Sequence, residues 1–137
     1  MIVVDTGAVL ALLDRDDAHH REALALFDAR GEDWVLPWAV LPEVDYLIAR
    51  HGGKGAAAAF RTDLAEGAWL VAWGEESDLA GANRILARYA DLNLGLVDAV
   101  VMAVAEREGA EAIATFDLRH FGAVELEGGP KLLPRDG

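Results

Sequence analysis

Short apolar runs alternate along this chain with segments of helical period. Met1-Ile2-Val3-Val4, Trp34-Val35-Leu36, Trp69-Leu70-Val71-Ala72-Trp73 and Ala112-Ile113-Ala114-Thr115-Phe116 have the length and residue types of strands, and amphipathic or apolar helix-length stretches separate them. A strand that is apolar throughout has to be covered on both faces, and helical connections make successive strands parallel. The expected fold is therefore α/β, a parallel sheet flanked by helices on both faces in three α/β/α layers.

Read in order, the pattern predicts a strand at 1–5, a helix over 7–13, a polar loop at 14–17 and a helix over 18–29. A strand at 34–36 is followed by helices near 38–51 and 55–65, separated by the loop Gly52-Gly53-Lys54-Gly55. A strand at 68–72 has edge character, because Trp69, Val71 and Trp73 would share one face. Helices over 76–90 and 96–108 follow, then a strand at 111–115 and a final short strand around 123–126. No repeat, low-complexity tail or linker divides the chain, so residues 1–137 read as a single domain.

Composition narrows the function. There is no cysteine, which excludes disulfides and thiolate metal sites. Met1-Ile2-Val3-Val4 lacks the basic flank and length of a signal peptide, and no apolar stretch reaches the ~20 residues of a membrane span. The expectation is a soluble, cytoplasmic protein. The formal charge is −12, with 24 acidic residues against 12 basic ones. Nonspecific nucleic-acid binders carry a basic face, so this balance argues against a general coat protein. It allows an enzyme whose metal supplies local positive charge, or a protein with a basic partner.

Four carboxylates, Asp5, Glu43, Asp98 and Asp117, stand among apolar neighbours, where an ionised group needs a cation or hydrogen bonds. Asp5 closes the first strand and Asp117 follows the Ala112–Thr115 strand. In a parallel sheet both emerge on one rim, where binding sites of such sheets collect. Each also has a plain reading: Asp5 as a helix N-cap, Asp98 as a first-turn acid, Asp117 as a turn or cap residue. Asp98 stands out because the following segment, Ala99 to Ala105, has no polar side chain. Periodicity leaves Glu43 and Asp45 equivalent, at the two edges of one apolar stripe.

Other polar groups are less suggestive. Asp14, Asp16 and Asp17 lack the glycine and distal glutamate of a calcium loop, and His19 and His20 read as surface residues. His120 follows Asp117 closely but has no second histidine beside it. Arg84 and Arg88 share a helix face and read as solvated, whereas Arg119, two residues from Asp117, is the candidate RNA or partner contact. Trp34 and Trp69 read as core; Trp38 and Trp73, near element ends, read as interface candidates.

Taken together, Ile2-Val3-Val4-Asp5-Thr6, Pro42-Glu43-Val44, Gly95-Leu96-Val97-Asp98-Ala99 and Ala114-Thr115-Phe116-Asp117-Leu118-Arg119-His120-Phe121 resemble the PIN-domain nucleases, most closely the small VapC-like toxins of toxin–antitoxin pairs. The resemblance covers nearly the whole chain. It implies a helix-sandwiched parallel sheet, and it selects Glu43 over Asp45. It also implies that Asp5, Glu43, Asp98 and Asp117 surround one or two Mg²⁺ or Mn²⁺ ions, with Thr6 and Thr115 in support. An RNA substrate, a basic antitoxin segment and a homodimer follow from the same resemblance. All-oxygen donors suit Mg²⁺ or Mn²⁺, and without metal such a cluster is expected to be disordered or partly protonated.

Two other classes compete. A phosphoacceptor domain needs an acidic pair at the first strand end and a late lysine. Here Asp5 stands alone, and Lys54 and Lys131 are the only lysines. A PIN-like fold kept for protein binding, with little catalysis, differs from the enzyme in needing no tight metal.

Overall fold

The apolar runs pair into one all-parallel sheet. The computed structural model describes all 137 residues. Its strands are β1 (Ile2–Val4), β2 (Trp34–Pro37), β3 (Leu70–Ala72), β4 (Ala112–Ala114) and β5 (Lys131–Leu133), in the order β3-β2-β1-β4-β5. β1 is central: Ile2 is in register with Trp34 on one side and Ala112 on the other. All three of its residues are fully buried, which is why it carries no alternation.

The helices are α1 (Thr6–Leu13), α2 (His20–Arg30), α3 (Val40–Ala65), α4 (Glu76–Arg88), α5 (Leu96–Glu108) and the single turn α6 (Leu118–Phe121). The chain runs β1-β2-β3 toward one edge, then returns across the sheet to β4 and β5. Right-handed crossovers place α1–α3 on one face and α4–α5 on the other. Packing segregates accordingly, with α1 against α2 and α3, and α4 against α5. α5 lies on β1 and β2 and is buried continuously from Ala99 to Ala105. Gly109, at φ 60°, ends it in the left-handed conformation that a Cβ disfavours.

The two helices expected at 38–51 and 55–65 are the two arms of α3. They meet at Gly53, whose φ of 85° and ψ of 178° break the helix. β3 is an edge strand as expected, with Leu70 exposed and Ala72 buried.

One element differs from the expectation. Residues 123–126 form no strand; the fifth strand is Lys131–Leu133. Val124 is buried and Leu126 half-buried, so the stretch packs by side chains without joining a ladder. Leu132 and Leu133 are buried and pair with Ile113 and Ala114 along the free edge of β4. Strand membership was decided by that edge, not by local alternation.

Candidate metal centre

Because every strand is parallel, β1 and β4 end on one rim, and the direction of crossover changes between them. Such switch points open a crevice beyond the strand ends. Asp5 is the first residue past β1. Its backbone N–H still donates to the Ala114 carbonyl at 3.1 Å, which fixes it against β4. Its Oδ1 accepts from the Ala8 amide at 2.8 Å and caps α1, while Oδ2 accepts from the Thr115 hydroxyl. The capping role and the cluster role therefore belong to the same side chain.

Asp5 is 4% exposed, and burial pushes its carboxyl up to about 7, against the hydrogen bonds from Thr115 and Ala8; Asp98 and Asp117 push it further up. Asp5 therefore holds its proton to a higher pH than an ordinary carboxylate.

Thr115 is buried and ties two acids together. Its hydroxyl donates to Asp5 and accepts from the Asp117 amide at 3.0 Å. Asp117 caps α6, Oδ1 accepting from the His120 amide at 3.2 Å and Oδ2 lying 2.8 Å from His120 Nδ1. Asp98 reaches the same place from the first turn of α5. Burial raises its carboxyl pKa most, Asp117 and Glu43 raise it further, and His120 opposes them. Asp98, Asp117 and His120 each offer a ligand atom, all within 4.8 Å of one another.

Glu43, in the first turn of α3, is half-buried and close enough for its charge to act on Asp98. Asp45 faces elsewhere. It takes two hydrogen bonds from Arg61, at 2.6 and 3.0 Å, that clasp the two arms of α3 across the Gly53 kink. The two acids that periodicity could not separate are separated by this partner.

No lysine or arginine lies within ion-pair distance of Asp5, Glu43 or Asp98; the one basic group paired in the cluster is His120. The Thr6 hydroxyl, buried beside Asp5, has no hydrogen-bond partner. An oxygen-rich donor set with no lysine or arginine in it, next to an unsatisfied hydroxyl, fits a hard divalent ion.

The remaining candidates fall outside the cluster. Arg119 is exposed and makes no ion pair. Asp14 and Asp17 accept from the Asp16 and His19 amides at 2.9 and 2.8 Å, so that loop folds on itself. Trp73 is 70% exposed, whereas Trp38 is half-buried and donates from Nε1 to Asp78 at 3.0 Å. Sequence reasoning undervalued His120. Its spacing from Asp117 was the signal, and only the arrival of α5 gives that spacing a third partner.

Comparison with known proteins agrees with this geometry. Residues 2–125 match the PIN domain family. The chain is 34% identical over 128 residues to Ribonuclease VapC26 of Mycobacterium tuberculosis (strain ATCC 25618 / H37Rv), spanning 93% of this chain and 95% of that one. The crystal structure of Mycobacterium tuberculosis VapC20, described as a sarcin–ricin loop cleaving toxin, superposes with a TM-score of 0.82 at 26% identity, over 93% of this chain and 98% of that chain. VapBC2 from Rickettsia felis, solved bound to a DNA fragment from its promoter, shares the fold with a TM-score of 0.72 at 13% identity, over 96% and 97% of the two chains. With acids from β1, α3, α5 and the end of β4 brought toward one rim of a parallel sheet, and with these relatives, the chain belongs to the PIN-domain family, in its VapC-like group.

Proposed function

We propose that residues 1–137 act as a single metal-dependent endoribonuclease domain, the toxin of a toxin–antitoxin pair working in the cytoplasm. The observation that carries this reading is the convergence of carboxylates at the β1/β4 switch point with no lysine or arginine to neutralise them. Asp5 and Asp98 would be the primary ligands of one or two Mg²⁺ or Mn²⁺ ions, with Glu43 and Asp117 as ligands or orienters and Thr6 and Thr115 in support. Such ions, when bound, supply an activated water and charge stabilisation at the scissile phosphate.

The chain's own part is preorganisation. Asp5 is held by Thr115 and the Ala8 amide, Asp98 rides on the most deeply buried helix, and Asp117 is fixed by His120. Groups held this way need little rearrangement when charge develops. The names of VapC26 and VapC20 support RNA as the substrate.

Two further partners belong to the proposal. Relatives of the same fold were solved as VapBC toxin–antitoxin complexes, and a charge of −12 suits a basic antitoxin segment. For a homodimer, Leu70 and Trp73 leave apolar surface at the β3 edge. No helix is long and apolar enough to cross a membrane.

The test is incubation of the purified protein with total cellular RNA in Mn²⁺, in Mg²⁺ and in EDTA. Discrete fragments are expected with metal and none with chelator. Failure to cleave under any condition would leave a protein-binding PIN module. A second expectation separates the neighbouring acids: Glu43→Gln lowers the cleavage rate about tenfold or more, while Asp45→Asn leaves it unchanged. Equal losses in the two variants would remove Glu43 from the site.

A further inference from the structure

The same rim carries a second feature beyond β4 and β5. A cavity of about 300 Å³ is walled by His19, Glu22, Thr115, Phe116, Leu118, Pro134 and Arg135. Thr115 and Phe116 follow β4, and Pro134 and Arg135 follow β5, so parallel topology puts the cavity on the side of the sheet where the carboxylates lie. The link is also direct. Thr115, which lines the cavity, is the residue whose hydroxyl holds Asp5, and Phe116 is the residue between Thr115 and Asp117.

The cavity contains a prepared flat surface. The His19 ring lies parallel to Phe116, with centroids 4.4 Å apart and planes within 6°. Glu22 holds the imidazole by its edge, 3.4 Å from Nδ1, leaving both ring faces available for stacking. One face meets Phe116, and the His19 side chain as a whole is 49% exposed at the cavity wall, so it keeps surface that no protein group covers. Leu118, 41% exposed, adds an apolar wall where a surface residue would ordinarily be polar.

Charge points to the occupant. With a net charge of −12, contacts to a phosphate backbone supply little affinity, and Arg135, the one lysine or arginine at this cavity, is already paired with Asp136 at 2.7 Å. Base stacking on aromatic faces does not need a basic protein. About 300 Å³ is the lower end of ligand cavities and accommodates one base, not a run of them.

We propose that this cavity is a nucleobase subsite, in which a base flanking the scissile phosphate stacks on the uncovered surface of His19, with Phe116 behind it and Leu118 and Pro134 at its edges. The proposal rests on the ribonuclease reading. It requires an unpaired base, because a base inside a helix cannot present its face. It also predicts binding that weakens only slightly with salt.

The test titrates each of the four ribonucleoside 5′-monophosphates into the protein with Mg²⁺ and follows the His19 ring protons by NMR. At least one nucleotide is expected to shift them by ring current. His19→Gln and Phe116→Leu should weaken that nucleotide about tenfold, and His19→Phe, which keeps a ring, should restore it. On a cleaved RNA fragment, His19→Gln should raise KM by a similar factor with kcat within about twofold and Mn²⁺ affinity unchanged. No ring shift with any nucleotide, or a His19→Phe variant as weak as His19→Gln, would overturn the subsite. Cleavage with native KM in His19→Gln and Phe116→Leu would overturn it while leaving the ribonuclease reading intact. Loss of the ribonuclease reading would show separately, as native protein that cuts no RNA with Mn²⁺, and the mononucleotide titration would still decide the subsite.

Discussion

Asp5→Asn is expected to make the metal-free protein more stable while reducing RNA cleavage by about 100-fold or more. The two effects have opposite signs because one buried carboxylate causes both. Its pKa moves from 3.8 to about 7 on folding, chiefly through burial. At about 1.4 kcal/mol per pKa unit, the ionised form costs the folded state on the order of 4 kcal/mol above that pKa. The sign follows from linkage. A raised carboxyl pKa means the folded chain binds the extra proton, so stability is fully present below the unfolded pKa and declines as pH rises through about 7. Asparagine keeps the acceptor for the Ala8 amide and carries no charge. In EDTA its melting temperature should exceed that of the native chain by several degrees at about pH 8, and the difference should vanish near pH 4. A loss of stability at both pH values would contradict the burial argument.

On the proposed metal-site reading, the same competition governs metal loading. Protons and divalent ions seek the same oxygens, so stabilisation by Mn²⁺ should be greater at about pH 8 than at about pH 6. Thermal melts with and without Mn²⁺ at the two pH values measure it directly; a shift independent of pH would remove Asp5 from the ligand set. On the proposed metal-site reading, Asp5 is a residue whose burial destabilises the empty chain and whose charge is useful only with a cation beside it.

What could be read in advance depended on whether the deciding contact was local. β1 was legible because burial on both faces leaves an uninterrupted Ile-Val-Val run, and Asp5 was legible because it terminates that run. Asp117 came to the same rim by topology alone. β5 was not legible: Lys131-Leu132-Leu133 is no more strand-like than Val124-Glu125-Leu126, and the free edge of β4 chose between them. Glu43 and Asp45 looked alike because the residue that occupies Asp45 is Arg61, sixteen positions away across a helix break. His120 is a local partner of Asp117, yet its place in the cluster depends on Asp98 arriving from α5. Trp38 resembled an interface residue at an element end, and its hydrogen bond goes to Asp78, forty positions on. Distant pairings of this kind leave no periodic trace.

Arg107→Ala is expected to destabilise the protein by about 3–5 kcal/mol, the ordinary cost of leaving a buried charge without its partner. The Asp78 side chain is wholly buried and accepts from Arg107 Nε at 2.6 Å and Nη2 at 3.1 Å, from Trp38 Nε1 at 3.0 Å and from the Glu75 amide at 3.0 Å. Arg107 Nη2 also reaches the Trp73 carbonyl at 3.0 Å. This carboxylate and its arginine thus join the start of α4, the far end of α5, the residue that follows β3 and the approach to α3. Burial pushes the Asp78 carboxyl up, but the hydrogen bonds from Arg107, Glu75 and Trp38 outweigh it and hold the pKa below the usual carboxylate value. Its stabilising contribution is therefore present above the unfolded pKa and lost as pH falls through the folded one. Removing Arg107 takes away the only cation that offsets this burial. Removing both charges, as Asp78→Asn with Arg107→Met, should recover much of the loss, because no buried charge then remains. Urea midpoints of the single and double variants at about pH 7 measure both effects, and a double variant no better than Arg107→Ala would show that packing, not charge, dominates. Asp98 stands at the opposite end of α5 from Arg107. The folded fraction of the Arg107→Ala protein should therefore cleave RNA within a few-fold of the native rate at temperatures well below its melting point, since the node holds the helix down without touching the acids it delivers.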